Sequence, residues 1–214
     1  DLIREGQSTE RLARAFAEDD RIRFADIHWP ATTKGVLAME ELRGELLARC
    51  PVEELSREQR HRIVAHCADA VFRQCFELGF FHADPHPGNL MILGGEVVGF
   101  LDCGMTGHVD PDTAGQLADL VRGTIDGDLE LVVRTAVVIA EADPALAYDR
   151  RLRADVWEFM GEFASVSLAD LRVGPLLREF FDVLRRNQIR CAADVVYLIK
   201  AIATIEGVAV ELAP

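Results

Sequence analysis

The chain has 214 residues, of which 50% are hydrophobic and 28% are charged, and its mean hydropathy is +0.09. A chain of this length and composition can bury a core, which excludes disordered and fibrous proteins. Its 36 acidic and 23 basic residues give a net charge of −13. This charge excludes a non-specific nucleic-acid binder, because such proteins present basic grooves to the phosphate backbone. The most apolar stretch, residues 195–212, contains Lys200 and Glu206 and predicts a buried helix, not a membrane span.

The first predicted elements are a helix and a small amount of strand. Apolar residues recur at roughly helical spacing over residues 2–17. Residues 22–30 predict an irregular segment or a short strand, and the apolar run of residues 35–40 predicts a buried strand.

A long helix over residues 56–78 is the clearest predicted element. Ser56, followed three positions later by Gln59, is a capping-box signature, and Gly79 is a typical helix stop. Apolar residues recur at helical spacing between these two ends.

The second half of the chain predicts one hairpin followed by helices. Two short apolar runs, residues 90–93 and 97–101, are separated by Gly94-Gly95-Glu96, which is typical of a hairpin turn. The remaining helices are predicted over residues 111–125, 129–140, 149–164, 174–187 and 192–212. The sequence therefore predicts an α+β fold that is mainly α, with one inserted hairpin.

Between the long helix and the hairpin lies the stretch Phe81-His82-Ala83-Asp84-Pro85-His86-Pro87-Gly88-Asn89. Its prolines and glycine cannot continue the helix, so we expect a rigid loop that holds two histidines, an aspartate and an asparagine. The second hairpin strand leads into Leu101-Asp102-Cys103-Gly104, which delivers another carboxylate beside this loop.

Asp84, Asn89 and Asp102 stand in the order of a kinase active site, His-x-Asp-x-x-x-x-Asn, then a hairpin, then Asp-x-Gly. Phosphoryl transfer needs a carboxylate that orients the nucleophile or accepts its proton, and Asp84 fits this role. It also needs oxygen ligands for Mg²⁺, which Asn89 and Asp102 supply. The alternative is that Asp84 and Asn89 only form turns, which does not account for the carboxylate at the far end of the hairpin.

The loop from Phe81 to Asn89 closely resembles the signature of the UbiB/AarF/ADCK family of atypical kinase-like proteins. Ordinary protein kinases carry an arginine between the histidine and the aspartate and lack the Pro-His-Pro-Gly run. The resemblance extends over essentially the whole chain. It includes Arg4-Glu5, residues 36–40, Leu101-Asp102-Cys103-Gly104-Met105 and Ala203-Thr204-Ile205-Glu206-Gly207-Val208.

This resemblance implies a protein-kinase-like C-terminal lobe over residues 43–214 and a remnant of the N-terminal lobe, with the hinge, over residues 1–42. Glu5 corresponds to the helix glutamate that pairs with the nucleotide-binding lysine, and Asp84 corresponds to the catalytic aspartate. Asn89 and Asp102 correspond to the ligands that hold Mg²⁺ with ATP. The hinge that contacts adenine through its backbone corresponds to Met39, Glu40, Glu41 and Leu42.

Two features depart from the family pattern. Cys103 stands where phenylalanine is usual, and it is either a packing residue or a redox-sensitive thiol beside the metal. No phosphate-covering loop or strand lysine precedes Glu5, and the only lysines are Lys34 and Lys200. Because the sequence also begins with Asp1, we expect a piece of a longer protein rather than a degenerate copy.

Other residues allow competing interpretations. His82, His86 and His108, with Cys103, are conceivable zinc ligands, but their spacing is not that of a zinc site. His82 is instead expected to be a buried ring that braces the loop.

Basic residues at 150, 151 and 153 open a predicted helix and either contact anionic lipid or are simply solvated. The stretch 159–173 is fairly apolar, which allows a peripheral membrane face, and Trp157 is predicted to be a packing residue.

The sequence thus predicts the ATP- and Mg²⁺-binding portion of a UbiB-like kinase or ATPase that supports isoprenoid quinone or other lipid metabolism. Its predicted location is cytoplasmic, with a peripheral contact to the inner membrane. Two alternatives stay open, a small-molecule phosphotransferase of the aminoglycoside or choline kinase type and a non-catalytic pseudokinase scaffold.

Overall fold

The computed structural model describes residues 1–164, 166 and 171–213, and contacts within it divide the chain into two compact units. The first unit comprises residues 1–108 and the C-terminal segment from Lys200, and the second comprises residues 109–199. The predicted division of the chain at residue 42 stays a prediction.

Two helices of the first unit begin at the residues that the sequence predicts. Helix α1 (Leu2–Ala15) is capped by Asp1. Helix α2 (Arg57–Phe76) begins after Ser56, whose Oγ accepts from the Gln59 N–H at 3.2 Å, while Gln59 Oε1 accepts from the Ser56 N–H at 2.9 Å. This reciprocal pair is the predicted capping box.

Six short strands lie among the described residues of the first unit. They are β1 (Ile22–Phe24), β2 (Gly44–Leu46), β3 (Phe80–His82), β4 (Leu90–Leu93), β5 (Val98–Phe100) and β6 (Thr106–His108). Strands β1, β5, β4 and β2 form one sheet in that order, in which only β1 and β5 run parallel. The hairpin of β4 and β5 confirms the prediction. Strands β3 and β6 form a separate antiparallel pair, and the predicted loop begins in β3.

The predicted buried strand over residues 35–40 is wrong. This segment makes only isolated bridges, between Ile27 and Met39 and between Thr33 and Val36, and the Val36 and Met39 side chains are 56% and 40% exposed. These bridges pair the backbone and leave the Val36 and Met39 side chains in contact with solvent.

Aromatic stacking fixes the sheet beneath the predicted site. The rings of Phe24 and Phe100 are stacked with centroids 5.1 Å apart, and Phe16 lies 5.8 Å from Phe24. All three are buried, together with Leu12 of α1 and Ile63 of α2. The strand that leads into Asp102 is therefore anchored in the core.

The second unit is helical. Its helices are α3 (Pro111–Asp126), α4 (Leu129–Ile139), α5 (Arg150–Phe163), α6 (Val173–Arg186) and the beginning of α7 (Ala193–Leu212), which enters the first unit at Lys200. Side chains of Asp110, Asp128 and Asp149 cap α3, α4 and α5. The predicted helix ends lie within three residues of those observed.

The predicted packing role of Trp157 is wrong, because its side chain is 64% exposed. Of the basic cluster on α5, Arg153 pairs with Glu130, while Arg150 and Arg151 are exposed. The apolar stretch 159–173 includes residues 165 and 167–170, which lie outside the described residues. Among the helices that the structure describes, none is both long enough and apolar enough to cross a membrane.

Candidate functional site

His82 fixes the start of the loop. Its backbone N–H donates to the buried side chain of Gln74 on α2 at 2.9 Å. Its ring lies 3.0 Å from the Leu101 carbonyl through Nε2 and 3.1 Å from the Asp84 N–H through Nδ1. Burial lowers the pKa of His82, so the ring is neutral, with Nε2 as donor and Nδ1 as acceptor. The predicted bracing role of this histidine is confirmed.

Asp84 is fixed by its backbone and paired through its side chain. Its N–H is held by the His82 ring, and its carbonyl accepts from the Asn89 side-chain amide at 3.2 Å. Its carboxylate Oδ1 lies 2.7 Å from Nζ of Lys200 on α7. The ion pair with Lys200 was not predicted, because nothing in the local sequence links residues so far apart.

Asn89 connects the loop to the hairpin strand that ends before Asp102. Its N–H donates to the His86 carbonyl, and its own carbonyl accepts from the Leu101 N–H, both at 2.8 Å. Its Nδ2 donates to the Asp84 carbonyl. No group in the described parts of the chain donates to its Oδ1. Asn89 therefore keeps one side-chain oxygen free beside the loop.

Asp102 and Glu5 converge on Gly104. A Cβ at Gly104 would lie 3.1 Å from Glu5 Oε2 and 3.2 Å from Asp102 Oδ1, so the two carboxylates flank this glycine. Asp102 is exposed and has φ +47, in the left-handed region that non-glycine residues seldom adopt. Its Oδ1 also accepts from the Gly104 N–H at 3.3 Å.

The electrostatics of this pair favour an incoming cation. Burial and, to a smaller extent, the charge of Asp102 raise the pKa of Glu5. Across residues 1–164, 166 and 171–213, no arginine or lysine lies within ion-pair distance of either carboxylate. The arrangement holds two like charges whose repulsion a divalent cation or a basic side chain would relieve.

Cys103 is a packing residue. It is buried, and burial raises the pKa of its thiol to about 12, so the thiolate that oxidation requires is disfavoured. The redox interpretation therefore has no support in its environment. The Cys103 side chain points into the unit while its neighbour Asp102 is exposed.

The histidines do not form a metal site. His86 is exposed and its Nδ1 accepts from the Gly88 N–H at 3.0 Å, so its ring folds back on its own loop. His108 Nε2 lies 3.3 Å from Arg11. Within the described part of the chain, no three or more His, Cys, Asp or Glu side chains gather around a common point that could hold a metal ion.

The predicted hinge runs beside residues 26–28. The His28 N–H donates to the Ala38 carbonyl and the Glu40 N–H donates to the Asp26 carbonyl, both at 2.8 Å. Because alternate residues of an extended segment direct their backbone groups to opposite edges, those of Met39 face away from this pairing. The Glu40 carboxylate is used as well, in an ion pair with Arg23 at 2.7 Å.

Three of the four predicted hinge residues line one cavity of the first unit. Glu40, Glu41 and Leu42 border a cavity of about 880 Å³, whose lining does not include Met39, nor any of the three loop and hairpin residues Asp84, Asn89 and Asp102. The structure therefore brings Glu5 to Asp102, and this cavity connects the three hinge side chains with none of the proposed metal ligands.

Comparison with known proteins gives two family matches. Residues 1–136 match the model of the ABC1 atypical kinase-like domain, and residues 156–214 match that of the UbiB helical domain. The first match contains all the predicted site residues, and the second contains Lys200.

Individual relatives are longer than this chain. It is 26% identical over 215 residues to Protein ACTIVITY OF BC1 COMPLEX KINASE 7, chloroplastic, from Arabidopsis thaliana, and 26% identical over 218 residues to the Probable protein kinase UbiB of Marinobacter nauticus. Each alignment covers 100% of this chain but only 31% and 40% of the respective relative.

A solved structure shares the fold. The complex of Rv3197 with erythromycin, from Mycobacterium tuberculosis, matches with a TM-score of 0.55 at 19% sequence identity, and the match covers 100% of this chain and 58% of that chain. Together with the domain match, this likeness confirms the predicted kinase-like fold, mainly α with small sheets.

Proposed function

The chain belongs to the ABC1 atypical kinase-like family, as its resemblance predicts, and from this premise we propose that its first unit binds ATP with Mg²⁺ for phosphoryl transfer or ATP hydrolysis. The observation that supports the proposal is the hydrogen-bonded link from the Asp84 carbonyl through Asn89 to Leu101, the residue that precedes Asp102. The Asp102 carboxylate in turn lies beside that of Glu5 at Gly104.

The donor set fits Mg²⁺. Mg²⁺ prefers oxygen ligands and is usually held by one or two protein carboxylates together with nucleotide phosphates and water. Asp102 offers an exposed carboxylate and Asn89 a free amide oxygen, and a cage of three protein carboxylates is not required. We assign Asn89 and Asp102 as the residues that hold Mg²⁺, which when bound neutralises the nucleotide phosphates.

Asp84 is the proposed catalytic residue. In phosphoryl transfer the protein contributes mainly positioning and charge stabilisation, and an aspartate orients the attacking oxygen and accepts its proton. The backbone of Asp84 is locked by His82 and Asn89, and its carboxylate is partly exposed. A fixed carboxylate that solvent and substrate can reach suits this role.

We assign adenine recognition to the backbone of the hinge, mainly at Met39. Its N–H and carbonyl face away from the pairing with residues 26–28, whereas the Glu40 N–H already bonds to the Asp26 carbonyl. The remaining proposed hinge residues, Glu41 and Leu42, contribute through backbone groups.

The proposal concerns the protein as its gene encodes it. Efficient transfer also needs a phosphate-covering loop and a lysine that pairs with Glu5. Neither stands ahead of Glu5 in this sequence, and Lys34 and Lys200 both follow it. A pseudokinase scaffold is the alternative if the gene encodes no such segment upstream.

For the pathway we propose support of isoprenoid quinone or other lipid metabolism, from a cytoplasmic position at the membrane surface. The relative from Marinobacter nauticus, the Probable protein kinase UbiB, favours this class. Within the second unit, Tyr148 and Trp157 are 83% and 64% exposed near the exposed Arg150 and Arg151. Exposed aromatic and basic side chains are typical of surfaces that rest on anionic lipid.

Sedimentation with vesicles tests the lipid contact. Trp157→Ala should reduce binding to phosphatidylglycerol vesicles and leave the weak binding to phosphatidylcholine vesicles unchanged. Equal binding of wild type and variant to the anionic vesicles contradicts the contact.

Isothermal titration tests the nucleotide site. We expect Mg·ATP to bind, and binding to weaken strongly when EDTA removes the metal. Absence of binding by the protein as its gene encodes it contradicts the proposal and favours the scaffold.

Acceptor assays separate the two enzyme classes. Radiolabelled ATP would be incubated with lipid extract, with choline, with an aminoglycoside and with erythromycin, the compound in the complex of the structural neighbour. Label transfer to a small molecule alone supports the phosphotransferase alternative, whereas hydrolysis or transfer stimulated by lipid supports the UbiB-like function.

A further inference from the structure

Lys200 reaches the proposed catalytic aspartate from the far end of the chain. Its Nζ lies 2.7 Å from Asp84 Oδ1, and the side chains of Lys200 and Asp84 are 49% and 28% exposed. Ion pairs as exposed as this one add little to folding stability. The pair therefore contributes little to folding, and both of its charged groups stay accessible to a ligand.

The Lys200 ammonium has more hydrogen-bond donors than its ion pair with Asp84 uses. A lysine carries three donors, and Asp84 is the one acceptor of its side chain in the parts of the chain that the structure describes. Lys200 is also one of only two lysines among 214 residues. The residues around it on helix α7 are largely apolar. A half-exposed ammonium with unused donors is suited to bind an anion.

The loop itself supplies no positive charge at this point. Asp84 is followed by Pro85, His86, Pro87 and Gly88, and the His86 ring is turned back onto the Gly88 N–H. Phosphoryl transfer concentrates negative charge on the group next to the carboxylate that orients the nucleophile, and a cation there stabilises it. Among the described residues, only Lys200 brings a basic group to the Asp84 carboxylate.

We propose that Lys200 binds the phosphoryl group that is transferred and, between turnovers, holds the Asp84 carboxylate. This inference rests on the proposed function of the first unit. Lys200 lies in the segment that matches the UbiB helical domain. Under this proposal, that segment contributes a residue directly to the kinase-like site. A consequence of the proposal is that Lys200 distinguishes a nucleoside triphosphate from a diphosphate, because only the triphosphate carries the group.

Nucleotide titrations of Lys200→Met test the proposal in the protein as its gene encodes it. With Mg²⁺ present, the variant should lose roughly tenfold or more in affinity for the non-hydrolysable ATP analogue AMP-PNP, the effect of removing one charge-assisted hydrogen bond to phosphate. Its affinity for ADP should be unchanged. Lys200→Arg should retain most of the AMP-PNP affinity, since a cation is kept.

Lys34→Met is the matched control, because Lys34 is the other lysine and is exposed. It should alter neither affinity. An unchanged AMP-PNP affinity in Lys200→Met overturns the proposal, and so does an equal loss for AMP-PNP and ADP, which would indicate a structural role. If wild type binds neither nucleotide, the proposed function itself fails, whereas wild-type binding without discrimination by Lys200 refutes this inference alone.

Discussion

The carboxylates of Glu5 and Asp102 flank the same α-carbon, that of Gly104, at 3.1 and 3.2 Å from the point where a Cβ would stand. One belongs to the first helix and the other to the turn after the hairpin. Two like charges placed together at a site of strained backbone lower the stability of the chain, and such an arrangement is typical of functional sites. A bound cation would convert the repulsion into attraction.

Replacing Gly104 by alanine should impair the site and spare the fold. The added methyl would push the Glu5 and Asp102 oxygens apart, so we expect weaker Mg²⁺-dependent nucleotide binding with little change in thermal unfolding. Gly107→Ala is the contrasting variant, because its Cβ would meet the Phe81 ring. Such overpacking costs about 1–3 kcal/mol in the free energy of unfolding. Loss of stability in Gly104→Ala comparable to that in Gly107→Ala contradicts this division of roles.

Replacing Glu5 by glutamine should stabilise the nucleotide-free protein at neutral pH. The folded state raises the pKa of Glu5 above its ordinary value of 4.5, so ionising it costs stability as the pH rises through the folded-state pKa. The advantage of Glu5→Gln should therefore be present at pH 7 and vanish below pH 4.5. Denaturant unfolding at several pH values measures it.

Two further results complete the test of Glu5. Glu18→Gln, at an exposed position, should show no such pH-dependent gain. The stabilised Glu5→Gln protein should bind Mg·ATP more weakly than wild type. A variant that is less stable at pH 7, or one whose advantage grows on acidification, refutes the account of this carboxylate.

Replacing Asp84 by asparagine should separate binding from turnover. The amide keeps the shape of the side chain but cannot accept a proton, so we expect Mg·ADP affinity to persist and the rate of ATP turnover to fall about a hundredfold or more. Phosphate-release assays measure the rate. Full turnover in this variant ends the proposed role of Asp84.

Local chemistry made much of the fold predictable. The capping box at Ser56 and the glycine turn of the hairpin each depend on residues that are close in sequence, and both are observed. Strands β2, β3 and β6 were missed because each has three residues with no marked alternation, and each exists through pairing with a distant strand. The exposed segment at residues 35–40 was mistaken for a buried strand because an apolar run does not reveal whether anything covers it.

In the candidate site, too, features set by neighbouring residues were predictable and features set by tertiary packing were not. The order of Asp84, Asn89 and Asp102 was readable because the loop and hairpin that join them are consecutive. The buried Gln74 that holds His82 and the ion pair of Asp84 with Lys200 were not readable, since they depend on where α2 and α7 pack. A lone lysine in an apolar helix was the one available signal for Lys200.

Paramagnetic relaxation by Mn²⁺ in the presence of ADP tests most directly whether one metal–nucleotide site exists here. Broadening should be strongest for the amide signals of Asn89, Asp102 and Gly104. Arg57, about 25 Å along α2 from Gln74, should be unaffected, and Asp102→Asn should abolish the effect. Broadening that spares these three residues, or that survives in Asp102→Asn, would contradict the account.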